Sequence, residues 1–281
     1  NTVQLRHSVQ NYTTSPTAGC TGVTRRLVDA YLMADGSFHT SRSNYNKMSF
    51  VDECKNRDPR MAQTLRTPGY EIQGVPTPAN LSAMKLGYQL RKFYIAVEYD
   101  GFSEVDLPVF RLAEVYLNHA EAKAELGTLT QADLDNTVNL IRARAGVKGK
   151  LDMATANANP EPWIKGCYPY LAKLNPANLG VILEIRRERT VELVMEGFRY
   201  YDIMRWKEGS VFNEEFLGMY IAGPGPIDVS GDGKADFYIK TKGDTATPAA
   251  GLEVLNMEDG KVTLVTPNAS GANTYNGESG Y

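Results

Sequence analysis

Apolar residues recur at helical spacing most clearly between Asp106 and Gly146. Leu112, Tyr116 and Ala120 fall four apart, with Val115 and Leu126 beside them and Gly127 placed as a stop. Pro108 suits a first helical turn. Thr130 with Asp133 three residues later forms an N-cap pair, and Leu134, Val138, Ile141 and Ala145 follow at spacings of four, three and four before Gly146. Two helices and a short turn of this length match one tetratricopeptide unit, which is roughly 34 residues. One unit cannot bury its own apolar face, so its packing partners must lie elsewhere in the fold or outside this chain.

A second helical stretch is more charged. A third helix is predicted from near Asn175-Pro176 to Gly197, and a fourth over about Arg199–Lys207. Glu184, Arg186, Arg187, Glu188, Arg189 and Glu192 are interleaved with Ile185, Val191 and Leu193. Glu184, Glu188, Glu192 and Glu196 repeat every four residues, which makes one carboxylate stripe on a helix. Such a stripe could hold a metal or act in glycoside hydrolysis. A di-iron bundle needs paired E-x-x-H segments, which are absent. Glycosidase carboxylates face each other across a cleft. Arg186, Arg187, Arg189, Arg199 and Arg205 are close enough in sequence to neutralise the stripe, so salt bridges between packed helices are the expectation. Trp206 is assigned to the core.

These segments carry a resemblance. Ile185, Arg186, Glu188, Arg189, Glu192, Leu193, Glu196, Gly197, Arg199, Tyr200, Asp202, Ile203, Arg205 and Trp206 fall on the signature of the SusD/RagB family. Val109–Gly127 and Val138–Gly146 resemble two further family blocks, in the family's order. Leu27–Gly36 (LVDAYLMADG), Asp58-Pro59-Arg60 and the acidic, glycine-rich C-terminal segment match more weakly. The resemblance implies a mainly α-helical SusD-like fold. It would hold one tetratricopeptide-like helix pair (106–146), signature helices (176–209), long irregular loops and a few short strands. Residues 1–281 would then be the C-terminal portion of a longer protein, with an N-terminal helical half and a lipidated cysteine outside this chain.

The same resemblance implies a surface-exposed outer-membrane lipoprotein. It would capture oligosaccharides for a TonB-dependent, SusC-like transporter by reversible binding. Peptide cargo in a relative of the family, a glycan-degrading enzyme and a sugar-free helical interaction module remain as alternatives. Family loops around the LVDAY-like segment point to Asn11, Tyr12, Arg25 and Tyr45 as ligand-binding residues. Lys148–Pro176 reads as a Pro-, Asn- and Ala-rich insertion, and Trp163, Tyr168 and Tyr170 are its exposed-aromatic candidates. Sugar faces stack on such rings while hydroxyls need polar partners.

Composition changes the picture little. The 281 residues carry a net charge of −3, which gives no reason to expect nucleic-acid binding, and no apolar run is long enough to span a membrane. Any membrane attachment would be through the lipid anchor. The three cysteines, Cys20, Cys54 and Cys167, lack metal-site or redox spacing. None of the three histidines sits in a nucleophile, H-E-x-x-H or P-loop motif, so no catalytic residue and no required cofactor are expected. Asp228, Ser230, Asp232, Lys234 (through its carbonyl) and Asp236 occupy EF-hand-like ligand positions. Position 12 is Ile239, so an intact EF-hand is excluded and a structural calcium remains the candidate.

Elsewhere, residues 1–101 read as irregular. Leu27–Met33 reads as a short helix or turn, Asp58-Pro59-Arg60 as a turn and Lys92–Tyr99 as a strand. Lys261–Val265 is the only strand-like run in the tail.

Overall fold

The structure is a computed structural model that describes residues 9, 22–81, 84, 86–94, 106–241 and 243–257. It is largely helical. Asn11, Tyr12, Lys261–Val265 and most of Lys92–Tyr99 lie outside the described residues. Lys92–Phe93 form a turn.

One helix, Leu179–Glu192, organises the molecule, and thirteen of its fourteen residues are buried. It packs against Leu112–Glu125, Met153–Ala158, Pro162–Cys167 and Arg25–Ala30. Its apolar side chains serve two clusters. Ile182 and Ile185 join Leu117, Leu134, Val138 and Ile141 in one, and Val191 joins Val28, Tyr31, Phe50, Met61 and Tyr88 in the other. Gly180 lets the helix start against the neighbouring chain, because a Cβ there would collide with the Ala156 carbonyl. Asn157 accepts the Val181 N–H at 2.9 Å and so satisfies one of the helix's unpaired N-terminal donors.

The charges of this core helix are stitched to other elements. Arg60 donates to Glu188 at 2.6 Å, to Glu192 at 3.0 Å and to Asp58 at 2.6 Å. Arg142 donates to Glu188 at 2.9 Å and to Glu184 at 3.2 Å. Arg111 bonds Glu192 and Glu196, and Lys92 bonds Glu196. The helix's own arginines point elsewhere. Arg187 reaches Glu161 as well as Glu184, Arg189 reaches Asp202, and Arg186 reaches Glu208. Arg205 pairs with Asp202 and Glu121, while Arg199 bonds Thr190 and Tyr168 and touches no stripe carboxylate. The stripe is therefore neutralised mainly by arginines distant in sequence. Burial alone would raise the Glu188 carboxyl, but Arg60 and Arg142 outweigh it and hold it below its ordinary range.

Several expectations need correction. The first helix of the pair starts at Leu112, and Pro108 precedes it in irregular chain. Its buried face is Leu117, Ala120, Glu121 and Ala124, whereas Leu112, Val115 and Leu126 are exposed. Glu121 is buried because the Trp206 indole donates to it at 2.5 Å and Arg205 pairs with it, so a carboxylate that hydropathy would put at the surface sits on the core face. The Thr130–Asp133 capping box forms, but the second helix breaks into Gln131–Asp135 and Val138–Ala145, where the Thr137 hydroxyl donates to the Asp133 carbonyl. Asp58 is the N-cap of helix Pro59–Thr64 rather than part of a plain turn. The insertion forms three short helices, Met153–Ala158, Pro162–Cys167 and Pro169–Leu174. The third predicted helix ends at Glu192, five residues early, and the chain then turns through Met195 and Gly197 at positive φ.

Strands are few and short. Glu71–Ile72 (β1) and Val75–Pro76 (β2) form a hairpin whose turn residues, Gln73 and Gly74, both have positive φ, the type I′ requirement. The tail, expected to hold strand only at 261–265, builds a three-stranded sheet from Gly225–Ile227 (β3), Phe237–Thr241 (β4) and Glu253–Met257 (β5). The order is β3-β4-β5, antiparallel then parallel, with Phe237 and Ile239 buried.

Glu188→Ala removes the carboxylate shared by two buried guanidiniums. The expected cost is about 3–5 kcal/mol, because Arg60 and Arg142 are left short of a partner inside the protein. Urea unfolding of the two proteins checks this, and a change under about 1 kcal/mol would mean the pairing contributes little.

Candidate functional site

A cleft of about 770 Å³ opens beside the core helix. That size lies in the range of small-molecule sites, roughly 300–1,000 Å³. One wall is the N-terminal helix Arg25–Ala30 with the turn Tyr45–Lys47. A second is the insertion helix Pro162–Cys167, and the third is the stretch 193–203 with the loop 211–217. Tyr45, Trp163, Phe198, Tyr200, Phe212 and Phe216 supply aromatic surface.

Each wall is held by local chemistry. Glu161 caps the insertion helix through the Ile164 N–H at 3.1 Å and binds Arg187 at 2.5 Å, so one carboxylate both starts the helix and ties it to the core. Arg187 lies 5.6 Å from the Trp163 ring centre, which backs the indole with a buried cation. Arg26 joins the opposite walls by donating to the Cys167 carbonyl and to Glu214, both at 2.5 Å.

Four of the seven sequence-predicted ligand residues, Arg25, Tyr45, Trp163 and Tyr168, line this cleft. Tyr168 is not an exposed aromatic. It is buried edge-on to Trp206 at 5.7 Å and takes a hydrogen bond from Arg199 at 3.3 Å, so little of its ring is left for a ligand. Trp163 is half-buried and packs on both apolar clusters. Tyr170 does not line the cleft; its N–H is fixed by Glu208 at 3.1 Å. Phe198, Phe212 and Phe216 were missed because they lie in turns and loops where no periodicity marks them.

Behind Arg25 lies a buried polar group made of Asp29, His39, Glu53, Arg57 and Tyr88. Tyr88 donates to Glu53 at 2.9 Å, and Arg57 is spent on the Val28, Tyr31 and Glu53 carbonyls. Burial, then the neighbouring Glu53, pushes the Asp29 carboxyl up to about 7 against the pull of Arg25 and Arg57. Burial, then Arg57, Arg42 and Arg25, pushes His39 down to about 3. His39 is therefore neutral at physiological pH, and its 3.7 Å approach to Asp29 is not an ion pair.

The Asp228–Asp236 loop brings together three of its five predicted ligands. The Ser230 hydroxyl lies 3.2 Å from both Asp228 Oδ1 and Asp232 Oδ1. Asp236 is turned away, accepting the Val229 and Ser230 N–H groups at 2.8 Å. Asp228 accepts the Gly231 and Gly233 N–H groups at 2.6 and 2.9 Å, and Asp232 accepts the Lys234 N–H at 2.8 Å, so these oxygens also close the turn.

The SusD family model matches residues 2–263. The chain belongs to the SusD family. Among solved structures, a SusD-like carbohydrate-binding protein from Bacteroides fragilis is similar at 27% identity, TM-score 0.50, over 70% of this chain and 37% of its own. A second SusD-like protein from the same organism is similar at 24% identity, TM-score 0.55, over 79% and 46%. This SusD-family chain thus spans less than half the length of either. No curated protein matches it. Within Ile185–Trp206, Arg186, Glu188, Arg189, Glu192 and Asp202 are buried ion-pair members, whereas Arg205 is exposed and Arg199 bonds Thr190 and Tyr168 instead of a carboxylate.

Asp29 and His39 should give opposing pH effects on stability. The folded Asp29 keeps a proton that the unfolded chain releases, so its ionisation lowers stability as pH rises from about 4 to about 7. The unfolded His39 binds a proton that the folded imidazole refuses, so its contribution falls as pH drops from about 6.5 to about 3. Relative to wild type, His39→Gln is expected to make the slope of stability with pH between about 4.5 and 6.5 more negative, and Asp29→Asn to make it more positive, each by on the order of 1 kcal/mol per pH unit. Urea midpoints at the two pH values measure the slopes; equal slopes in both variants would contradict the assignment.

Proposed function

We propose that this chain binds an oligosaccharide in the cleft between Arg25–Ala30, the insertion helix Pro162–Cys167 and loop 211–217. It would release its cargo unchanged to a SusC-like, TonB-dependent transporter at the outer-membrane surface. The carrying observation is the convergence of Arg25, Tyr45 and Trp163, remote in sequence, on one aromatic-walled cleft. Ring faces offer stacking surface to sugar C–H groups, and Arg25 offers hydrogen-bond donors. The similarity to a carbohydrate-binding SusD-like protein supports that ligand class. The family setting supports a lipid-anchored position outside the cell. No described helix is long and apolar enough to cross a membrane.

A glycoside hydrolase has one observation in its favour, since Asp29 lines the cleft with a raised pKa, as a general acid requires. Three of the four other cleft carboxylates weigh against it, the fourth being Glu215. Asp202 is bound by Arg189 and Arg205, Glu208 by two backbone N–H groups, and Glu214 by Arg26. A nucleophile or base needs a freer carboxylate across the cleft.

Calorimetric titration against a panel of oligosaccharides and peptides, each paired with a reducing-end assay, tests the reading. Saturable binding of a sugar without product is expected, and Trp163→Ala should weaken it about three- to tenfold through lost stacking. Product release would establish an enzyme, and binding of peptides alone would move the cargo to that class.

Calcium in the Asp228–Asp236 loop is proposed on the narrower ground of its three convergent oxygens. Millimolar calcium is expected to raise the thermal midpoint by a few degrees, and Asp232→Ala to abolish the rise. An unchanged wild-type midpoint would remove calcium from the account.

A further inference from the structure

We infer that the Arg25–Asp29 end of the cleft is a polar subsite that takes two neighbouring hydroxyls of a sugar ring. The inference rests on the oligosaccharide reading and adds the part of the ligand recognised there. Arg25 and Asp29 are four apart on one helix, so they share a face, and both line the cleft. Both are more than nine-tenths buried. Arg25 uses Nη1 on the Asn46 carbonyl at 2.7 Å and its guanidinium faces the Tyr88 phenol, but Nε and Nη2 make no hydrogen bond of good geometry. Asp29 Oδ1 has none either. Buried polar atoms in folded proteins are nearly always paired, so two donors and an acceptor without partners one helical turn apart, on residues that line the cleft, mark a place for a ligand.

A hydroxyl both donates and accepts, and an adjacent pair of hydroxyls satisfies Arg25 and Asp29 together. A peptide carboxylate would satisfy Arg25 but, being acceptor-only, has no proton to give the unpaired Asp29 oxygen. His39 stands behind the carboxyl with both ring nitrogens unpaired, its Nε2 3.7 Å from Asp29 Oδ1 and too far for a hydrogen bond. Tyr45 packs edge-on to His39 at 5.9 Å and places an aromatic face at the mouth of the same corner.

A divalent metal is the competing occupant, because ligand atoms of Asp29, His39 and Glu53 lie within 4.8 Å of one another. Charge decides against it. The guanidiniums of Arg25 and Arg57 match both carboxylates even when Asp29 is ionised, and His39 is neutral, so no negative charge is left over for a metal. A divalent cation would leave two positive charges uncompensated in a buried site.

The test titrates wild type, Asp29→Asn and Arg25→Gln with maltotetraose, cellotetraose, xylotetraose and mannotetraose, with thermal unfolding as a check on folding. At least one sugar should bind wild type, and both variants should weaken it about tenfold or more. Singly deoxygenated forms of that sugar, titrated into wild type, make the test independent of variant folding. One lacking a hydroxyl of the recognised pair should lose a comparable factor. If no sugar binds wild type, the oligosaccharide reading fails and takes the subsite with it. If a sugar binds but both variants and every deoxy form bind equally well, the subsite alone is overturned. Stoichiometric zinc or manganese in the purified protein, lost in Asp29→Asn, would replace it with a metal site.

Discussion

The pairing of Glu188 with Arg60 and Arg142 is the constraint around which this fold is arranged. A carboxylate with almost no solvent contact is tolerable only when its charge is matched and its lone pairs are filled. The two arginines come from sequence positions 128 and 46 residues away. Meeting that requirement holds the Asp58–Thr64 segment and the Val138–Ala145 helix against the core helix at one carboxylate. The neighbouring pairs repeat the arrangement along the helix. Glu192 draws in Arg111 and Arg144, and Arg187 draws in Glu161 and hence the insertion. Apolar burial supplies cohesion, and the ion pairs supply position.

The cleft follows from this arrangement. Its inner wall is the surface of the core helix and the turn after it, and Trp163 is placed by a helix whose N-cap is also an ion-pair partner. A ligand would therefore meet walls already ordered by the buried network, which reduces the conformational cost of binding. The loop 211–217 is different. It starts in the 3-10 turn Gly209–Asn213, is tied to the first wall by Arg26 on Glu214 and by the Arg25 N–H on the Leu217 carbonyl, and contributes two phenylalanines to the cleft.

What could be read from the sequence divides along physical lines. Local signals were legible: the Thr130–Asp133 capping box, the stops at Gly127 and Gly146, the signature helices and the burial of Trp206. Long-range signals were not. Hydropathy marks Leu112 and Val115 as core and Glu121 as surface, yet the indole of Trp206, 85 residues away, reverses this. The insertion looked like loop because its three helices are short and started by Asp152, Glu161 and Pro169 rather than by an apolar period. The short tail strands escaped notice because each gains its order from pairing, not from its own pattern. Arg25, Tyr45 and Trp163 were found, but the partnerless atoms of Asp29 and His39 are a property of three-dimensional surroundings that no spacing reveals.

The near-complete burial of Leu179–Glu192 has one more consequence. A helix whose sides alternate between charge and hydrocarbon has a single acceptable rotation about its axis. Turning it by one residue, about 100°, would press Glu188 against Leu117 and Val138 and expose Ile182 and Ile185 to guanidinium groups. Greasy cores often tolerate such slippage and settle into several near-equal packings. This one has no neighbouring arrangement to slide into, so its assembly should be abrupt, with the helix either seated in its one orientation or not docked at all.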